Sequence, residues 1–200
     1  MFVQIIQGRS SDAEGLRRQG EQWEAELLPG ATGFLGSTGG VAADGTAILL
    51  ARFESEEAAQ ANSNRPEQGA WWNETAKYFD GEVTFRNSTD VDTTFEGGSD
   101  RAGFVQIMQG RVTDRDRLNE LEAEFLPTLK ELRPDLIGSV RAWDGDWFVE
   151  AIYFTSEPEA RKGEAAMAEA PEAAEGFEEY MTLVQDVSYI DLTDPWLRSP

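Results

Sequence analysis

The chain has 200 residues, 40% of them apolar, with 38 acidic against 17 basic side chains and a formal net charge of −21. The apolar share is enough for a buried core, while a field of this sign repels phosphate and so excludes backbone-led nucleic-acid binding and attraction to anionic lipid. Cysteine and histidine are both absent, which removes disulfides, thiolate and imidazole catalysis, and the usual ligands of zinc, haem and iron–sulfur clusters.

The acid is spread evenly, with 17 acidic and 7 basic residues in positions 1–100 and 21 and 10 in positions 101–200. That distribution suits a solvated surface that keeps the protein soluble. No basic, apolar leader opens the sequence, and no apolar run approaches the roughly 20 residues a membrane helix needs. A cytoplasmic location is expected, with neither membrane nor nucleic acid as a partner.

Phe2-Val3-Gln4-Ile5-Ile6-Gln7-Gly8-Arg9 returns as Phe104-Val105-Gln106-Ile107-Met108-Gln109-Gly110-Arg111, 102 positions later. A repeat of this length implies a duplicated supersecondary unit. Residues 1–96 are expected as the first repeat, 97–102 as a linker and 103–200 as the second repeat. In the opening strand Val3 and Ile5 alternate with Phe2, Gln4 and Ile6, so both faces are apolar and both are expected to be covered. Ser11-Asp12-Ala13-Glu14 reads as a capping box, worth about 1 kcal/mol, for a helix with Leu16, Trp23 and Leu27 on one stripe. Asp44-Gly45 suits a two-residue type I′ turn between strands at 33–43 and 46–53. The glycine-rich Gly36-Ser37-Thr38-Gly39-Gly40 lacks the ending of a phosphate loop and reads as a flexible or bulged strand.

Ser55-Glu56-Glu57 opens a second helix that breaks before Pro66 and resumes through Trp71 and Trp72. Residues 83–85 and 91–95 are expected to complete the sheet as an irregular last strand. Asp90 and Asp92 lack EF-hand spacing and read as a solvated loop. The second repeat has the same order: strand 104–109, a cap at Thr113-Asp114, and a stripe of Leu118, Leu121, Phe125, Leu129 and Leu132. A hairpin around Asp144-Gly145, a helix capped by Ser156 and broken at Pro171, and a strand over 183–192 follow. Each half is thus β-α-β-β-α-β, and the fold class is α+β with two ferredoxin-like repeats.

This order, with Phe-Val-Gln-Ile at the start of each repeat and an Asp-Gly hairpin in the middle, resembles the dimeric α+β barrel superfamily. The stretch Glu56-Glu57-Ala58-Ala59-Gln60-Ala61-Asn62-Ser63, with Arg65-Pro66-Glu67 and Trp71-Trp72, is similar to second-helix sequences of its antibiotic-biosynthesis-monooxygenase-like branch. The resemblance covers nearly the whole chain. It implies two four-stranded antiparallel sheets that face each other as a single-chain barrel, and hence a monomer with pseudo-dimeric internal symmetry. Activities in such proteins include cofactor-free oxygenation of aromatic polyketides, haem chemistry, lactone isomerisation, and ligand or regulatory roles. The haem-dependent branches use histidine, which this chain lacks, so no cofactor and no metal are expected.

A site between sheet and helices is implied by the same resemblance. In the first repeat the second helix brings Asn62, Arg65, Trp71, Trp72 and Asn73, where the second repeat has Ala165, Ala166, Ala168, Ala170, Ala173 and Ala174. Indoles offer flat apolar walls, and amide or guanidinium groups orient a carbonyl or phenolate. One reading is a site for a small planar apolar ligand, with cofactor-independent oxygenation of an aromatic or quinol-like compound. The other is a non-catalytic sensor, carrier or structural module in which Trp71 or Trp72 fills core and Arg65 is solvated. A second polar constellation is Arg141 with Glu150, expected as diagonal neighbours on one face if Asp144-Gly145 is a two-residue turn. Such a pair is either structural or, with Glu150 as a base, chemical.

Overall fold

The structure is a computed structural model that describes residues 1–199, with the backbone alone at 171–175. Two compact units emerge, Met1–Val91 with Asp194–Pro200, and Asp92–Thr193. Residues 92–95 therefore belong to the second unit and 194–200 to the first, although each segment follows the other repeat in sequence.

The first unit comprises β1 (Phe2–Arg9), α1 (Ala13–Glu26), β2 (Phe34–Val41), β3 (Thr46–Phe53), α2 (Glu56–Ser63), α3 (Pro66–Thr75) and β4 (Thr84–Ser88). The second contains β5 (Val91–Phe95), β6 (Phe104–Val112), α4 (Arg115–Leu132), β7 (Leu136–Asp144), β8 (Trp147–Phe154), α5 (Glu157–Glu169), α6 (Pro171–Leu183) and β9 (Val184–Leu192), and the short β10 (Trp196–Arg198) returns to the first. Each sheet is five-stranded, in the orders β10-β2-β3-β1-β4 and β5-β7-β8-β6-β9. The ferredoxin-like core of four strands is as expected, and the fifth is a correction. The stretch at 91–95 does not extend β4 but pairs at the edge of the second sheet, beside β7. In the first sheet β10 holds the equivalent place beside β2, with Leu197 opposite Thr38. Both additions pair an edge whose backbone groups would otherwise be open.

The duplication is visible in the register. Phe2 stands opposite Phe53 and Ile6 opposite Leu49 in one sheet, Phe104 opposite Phe154 and Met108 opposite Glu150 in the other. Both turns differ from the expected type I′. In the first hairpin Val41 pairs with Ala47 and the Ala42 N–H donates to the Thr46 carbonyl, so the loop is Ala43-Asp44-Gly45, with positive φ at Gly45 alone. Asp44 stabilises it by accepting from the Thr46 N–H and hydroxyl at 2.8 and 3.0 Å. In the second hairpin Asp144 pairs with Trp147, leaving Gly145-Asp146 as the turn, with positive φ at Gly145 only, the pattern of a type II′ turn.

Helix starts follow short polar side chains. Asp12, not Ser11, caps α1 by accepting from the Gly15 N–H at 2.8 Å, while the Ser11 hydroxyl donates to Asp80. Asp114, Ser55 and Ser156 cap α4, α2 and α5 in the same way. The helix-side core of the first unit is Phe2, Trp23, Leu27, Phe34, Phe53 and Ala59. That of the second includes Met108, Leu118, Trp143, Phe148 and Val184. The opposite face of each sheet, with Val3 and Ile5 or Val105, Ile107 and Val149, is buried as well. Among the described residues no helix is long and apolar enough to cross a membrane.

Candidate functional site

Each unit has a cavity between its sheet and its helices. In the first it measures about 120 Å³ and is walled by Trp23, Trp71, Trp72, Phe34 and Phe79, with Asn62 and Gln68 as polar groups. Helix α3 starts after an extended Arg65 with Pro66 in its first turn. From there Trp71 and Trp72 reach the sheet side. The Trp71 indole donates to the Gln19 carbonyl at 2.8 Å. Trp72 packs edge-on to Phe85, with ring centroids 5.1 Å apart, and lies 6.0 Å from Phe79.

The predicted residues do not all meet. Asn62 is buried and lines the cavity with Trp71 and Trp72. Arg65 does not line it: its guanidinium donates to the Leu27 carbonyl and to Asn62 Oδ1, both at 3.0 Å, and pairs with Glu67 at 2.9 Å. It fastens the α2–α3 break to the end of α1, over Gly30, where a Cβ would lie 2.7 Å from its Nη2. Asn73 is exposed on α3 and lies outside the cavity.

Gln68 was not singled out in the sequence, and its geometry is informative. Its Oε1 accepts from Trp23 Nε1 at 2.7 Å and from Asn62 Nδ2 at 3.3 Å. Two donors on the oxygen fix the amide orientation, and Nε2 has no partner among the described residues. Because no buried polar atom among them is orphaned, that amide nitrogen is accessible, on a side chain that lines the cavity. Among the described residues the only charged one in the lining is Arg198 from β10, whose Nε is 2.9 Å from Glu24.

In the second unit the cavity is larger, about 290 Å³. Its lining includes Arg141 and Glu150, which stand directly opposite each other on β7 and β8 and not diagonally, because the turn is centred one residue later than expected. Arg141 Nε and Nη2 donate to Glu150 Oε2 at 2.9 and 2.7 Å, and Nη1 and Nη2 donate to Glu122 Oε2 and Oε1 at 2.9 and 2.7 Å. Burial alone would lower Arg141, but Glu150 and Glu122 outweigh it and hold the guanidinium above its ordinary value. Tyr180 lines the same cavity, and burial, with Glu150 nearby, pushes its phenol well above the ordinary tyrosine range. Its hydroxyl donates to Met108 Sδ at 3.7 Å. Of the alanines, Ala173 and Ala174 have side chains outside the described residues.

Asp92 has a structural task, accepting from Trp143 Nε1 at 2.7 Å and from Arg115 at 3.3 Å. Among the described residues no cluster of three or more acidic side chains is placed to hold a metal ion.

No protein-family model matches this sequence. No curated protein matches it either. Among solved structures, the chain is similar to a candidate monooxygenase from Lactobacillus acidophilus NCFM, with a TM-score of 0.75 at 13% identity over 99% of this chain and 95% of that one. A candidate monooxygenase from Fusobacterium nucleatum subsp. nucleatum gives 0.79 at 8% identity, covering 99% and 94%. An anthrone oxidase-like protein gives 0.64 at 12% identity, covering 99% and 92%. At such identities the likeness shows the fold. The chain has the α+β ferredoxin-like architecture of monooxygenase-like proteins, in a two-sheet arrangement that fits a tandem duplication on a single chain.

Proposed function

We propose that the protein binds a planar, mostly apolar small molecule in the cavity of its first unit and oxidises it without a cofactor, the substrate being a quinol- or anthrone-like compound. The observation that carries this reading is the convergence of the Trp23, Trp71 and Trp72 indoles and the Gln68 amide on one cavity. The indoles suit a flat ring system, and a fixed N–H donor suits a ligand carbonyl and, still better, the enolate it becomes. In the reaction envisaged, an anthrone-type methylene becomes a carbonyl: one atom of dioxygen enters the product and the other leaves as water. The similarity to an anthrone oxidase-like fold agrees with this chemistry. On the same reading the protein works as a monomer, each repeat carrying its own cavity.

A second reading, binding without turnover, is favoured by one observation. Among the described residues no carboxylate lines the first cavity, so none of them offers an acidic side chain there to act as a base. Titration with anthrone, followed by dioxygen uptake, separates the two. Binding that weakens at least tenfold in Trp72→Ala and Gln68→Ala, with uptake, supports the oxygenase; the same binding without uptake leaves a carrier or sensor. Unchanged affinity in both variants would remove the site from the first unit.

A further inference from the structure

The Arg141 cluster has more carboxylate than a structural ion pair needs. Both bonds from Arg141 to Glu150 end on Oε2, and Oε1 of Glu150 has no partner among the described residues. Glu150 is 6% exposed and lines the cavity, and no buried polar atom among the described residues is orphaned, so Oε1 is an accessible acceptor on a side chain of the cavity wall. One guanidinium faces two carboxylates, a surplus of one negative charge. The remaining charged lining side chains do not offset it: Arg133 is paired with Asp135 at 2.8 Å, and Glu164 with Arg161 at 3.0 Å.

The fold does not require this arrangement. At the equivalent positions of the first sheet, Gly39 stands opposite Leu49, and Leu49 fills the space so closely that a Cβ on Gly39 would lie 2.8 Å from its Cδ1. Apolar residues serve there. The exposed rings of Phe177 and Tyr189, 57% and 56% accessible, also line the second cavity and offer π faces to a cation.

We propose that the cavity of the second unit is a separate binding site for a mostly apolar small molecule bearing a protonated amine, anchored on Glu150 Oε1. The ammonium group supplies the missing positive charge, and the Tyr180 hydroxyl, which among the described residues donates only to a thioether, is available to the ligand's polar end. An anionic ligand would meet Glu150 and Glu122 with no uncommitted cation. The site is independent of the aromatic site in the first unit.

The test is calorimetric titration of the full chain with naphthylmethylamine, naphthol and naphthoate, which share one ring system and differ in the polar group. The amine is expected to bind at least tenfold more tightly than naphthol, and naphthoate not to bind. Glu150→Gln should weaken the amine at least tenfold while Trp72→Ala leaves it within twofold. Should Glu150→Gln fail to fold, Arg141→Met with Glu150→Leu and Glu122→Gln removes all three charges together and should lose the same affinity. Naphthol or naphthoate binding as well as the amine in the Trp72→Ala chain, where the first-unit site is disabled, an amine affinity unchanged by loss of Glu150, or one lost in Trp72→Ala would each overturn the proposal. Since the first-unit site is probed by anthrone and Trp72, its failure would leave this result untouched.

Discussion

Arg141 and Glu150 face each other across β7 and β8, 2.7 Å apart at Nη2 and Oε2, both less than a tenth exposed. Glu122, from α4, closes the other side of the guanidinium. Removing one member of such a pair strands a buried charge. Arg141→Met alone should therefore cost about 3–5 kcal/mol, whereas Arg141→Met with Glu150→Leu and Glu122→Gln should recover most of that loss. Urea unfolding of the two variants beside the parent chain measures both values.

The Tyr180 phenol responds to alkali. Burial and the neighbouring Glu150 raise its pKa in the folded state above the ordinary 10.0. Its contribution to stability is fully present below that ordinary value and is lost as pH rises through the folded value, because the unfolded chain ionises first. Stability should fall above about pH 10, and Tyr180→Phe should lessen the fall. Phenolate absorbance during an alkaline titration should show Tyr180 ionising late; ionisation together with exposed tyrosines would contradict its burial.

Gly138 on β7 lies against the loop after β5. A Cβ there would come within 2.5 Å of the Gly97 carbonyl oxygen and 2.8 Å of its nitrogen, both backbone atoms that cannot swing away. Gly138→Ala should destabilise the second unit by about 1–3 kcal/mol. The amides of β5 should exchange faster in the variant.

The strand β10 completes the first sheet and brings Trp196 and Arg198 to the first cavity. Arg17 lies over the Trp196 ring at 5.5 Å and also bonds to Asp194. Truncation after Thr193 should destabilise the first unit by roughly 1–3 kcal/mol and expose β2 amides to exchange. Anthrone binding should weaken with it, while the amine site of the second unit persists.

Much of this architecture is legible in the residues. The repeated Phe-Val-Gln-Ile strand, the proline-broken helices and the two Asp-Gly hairpins give ten of the strand and helix segments their place, since alternation and caps are local signals. The sheet that takes β5, a stretch legible as strand but expected at the end of the first sheet, and the short β10 were not legible, because which sheet accepts a short edge strand depends on distant backbone groups. A one-residue difference in turn placement likewise moved Arg141 from diagonal to directly opposite Glu150. In the candidate site Asn62, Trp71 and Trp72 converge, while Arg65 and Asn73, neighbours in sequence, do not. Helical spacing separates the faces but does not say which arginine finds a carbonyl to cap. Gln68 was passed over because a glutamine between Pro66 and Trp71 carries no motif; only the two donors converging on its oxygen single it out.

The most direct measurement is the set of six tryptophan indole N–H resonances, followed in a proton–nitrogen spectrum as anthrone is added. Trp23, Trp71, Trp72 and Trp196 line the first cavity, whereas Trp143 and Trp147 belong to the second unit. Saturable shifts at Trp23, Trp71 and Trp72, with Trp143 and Trp147 unmoved, are the predicted result. Shifts confined to Trp143 and Trp147, or no shift at any indole, would contradict a planar-ligand site in the first unit.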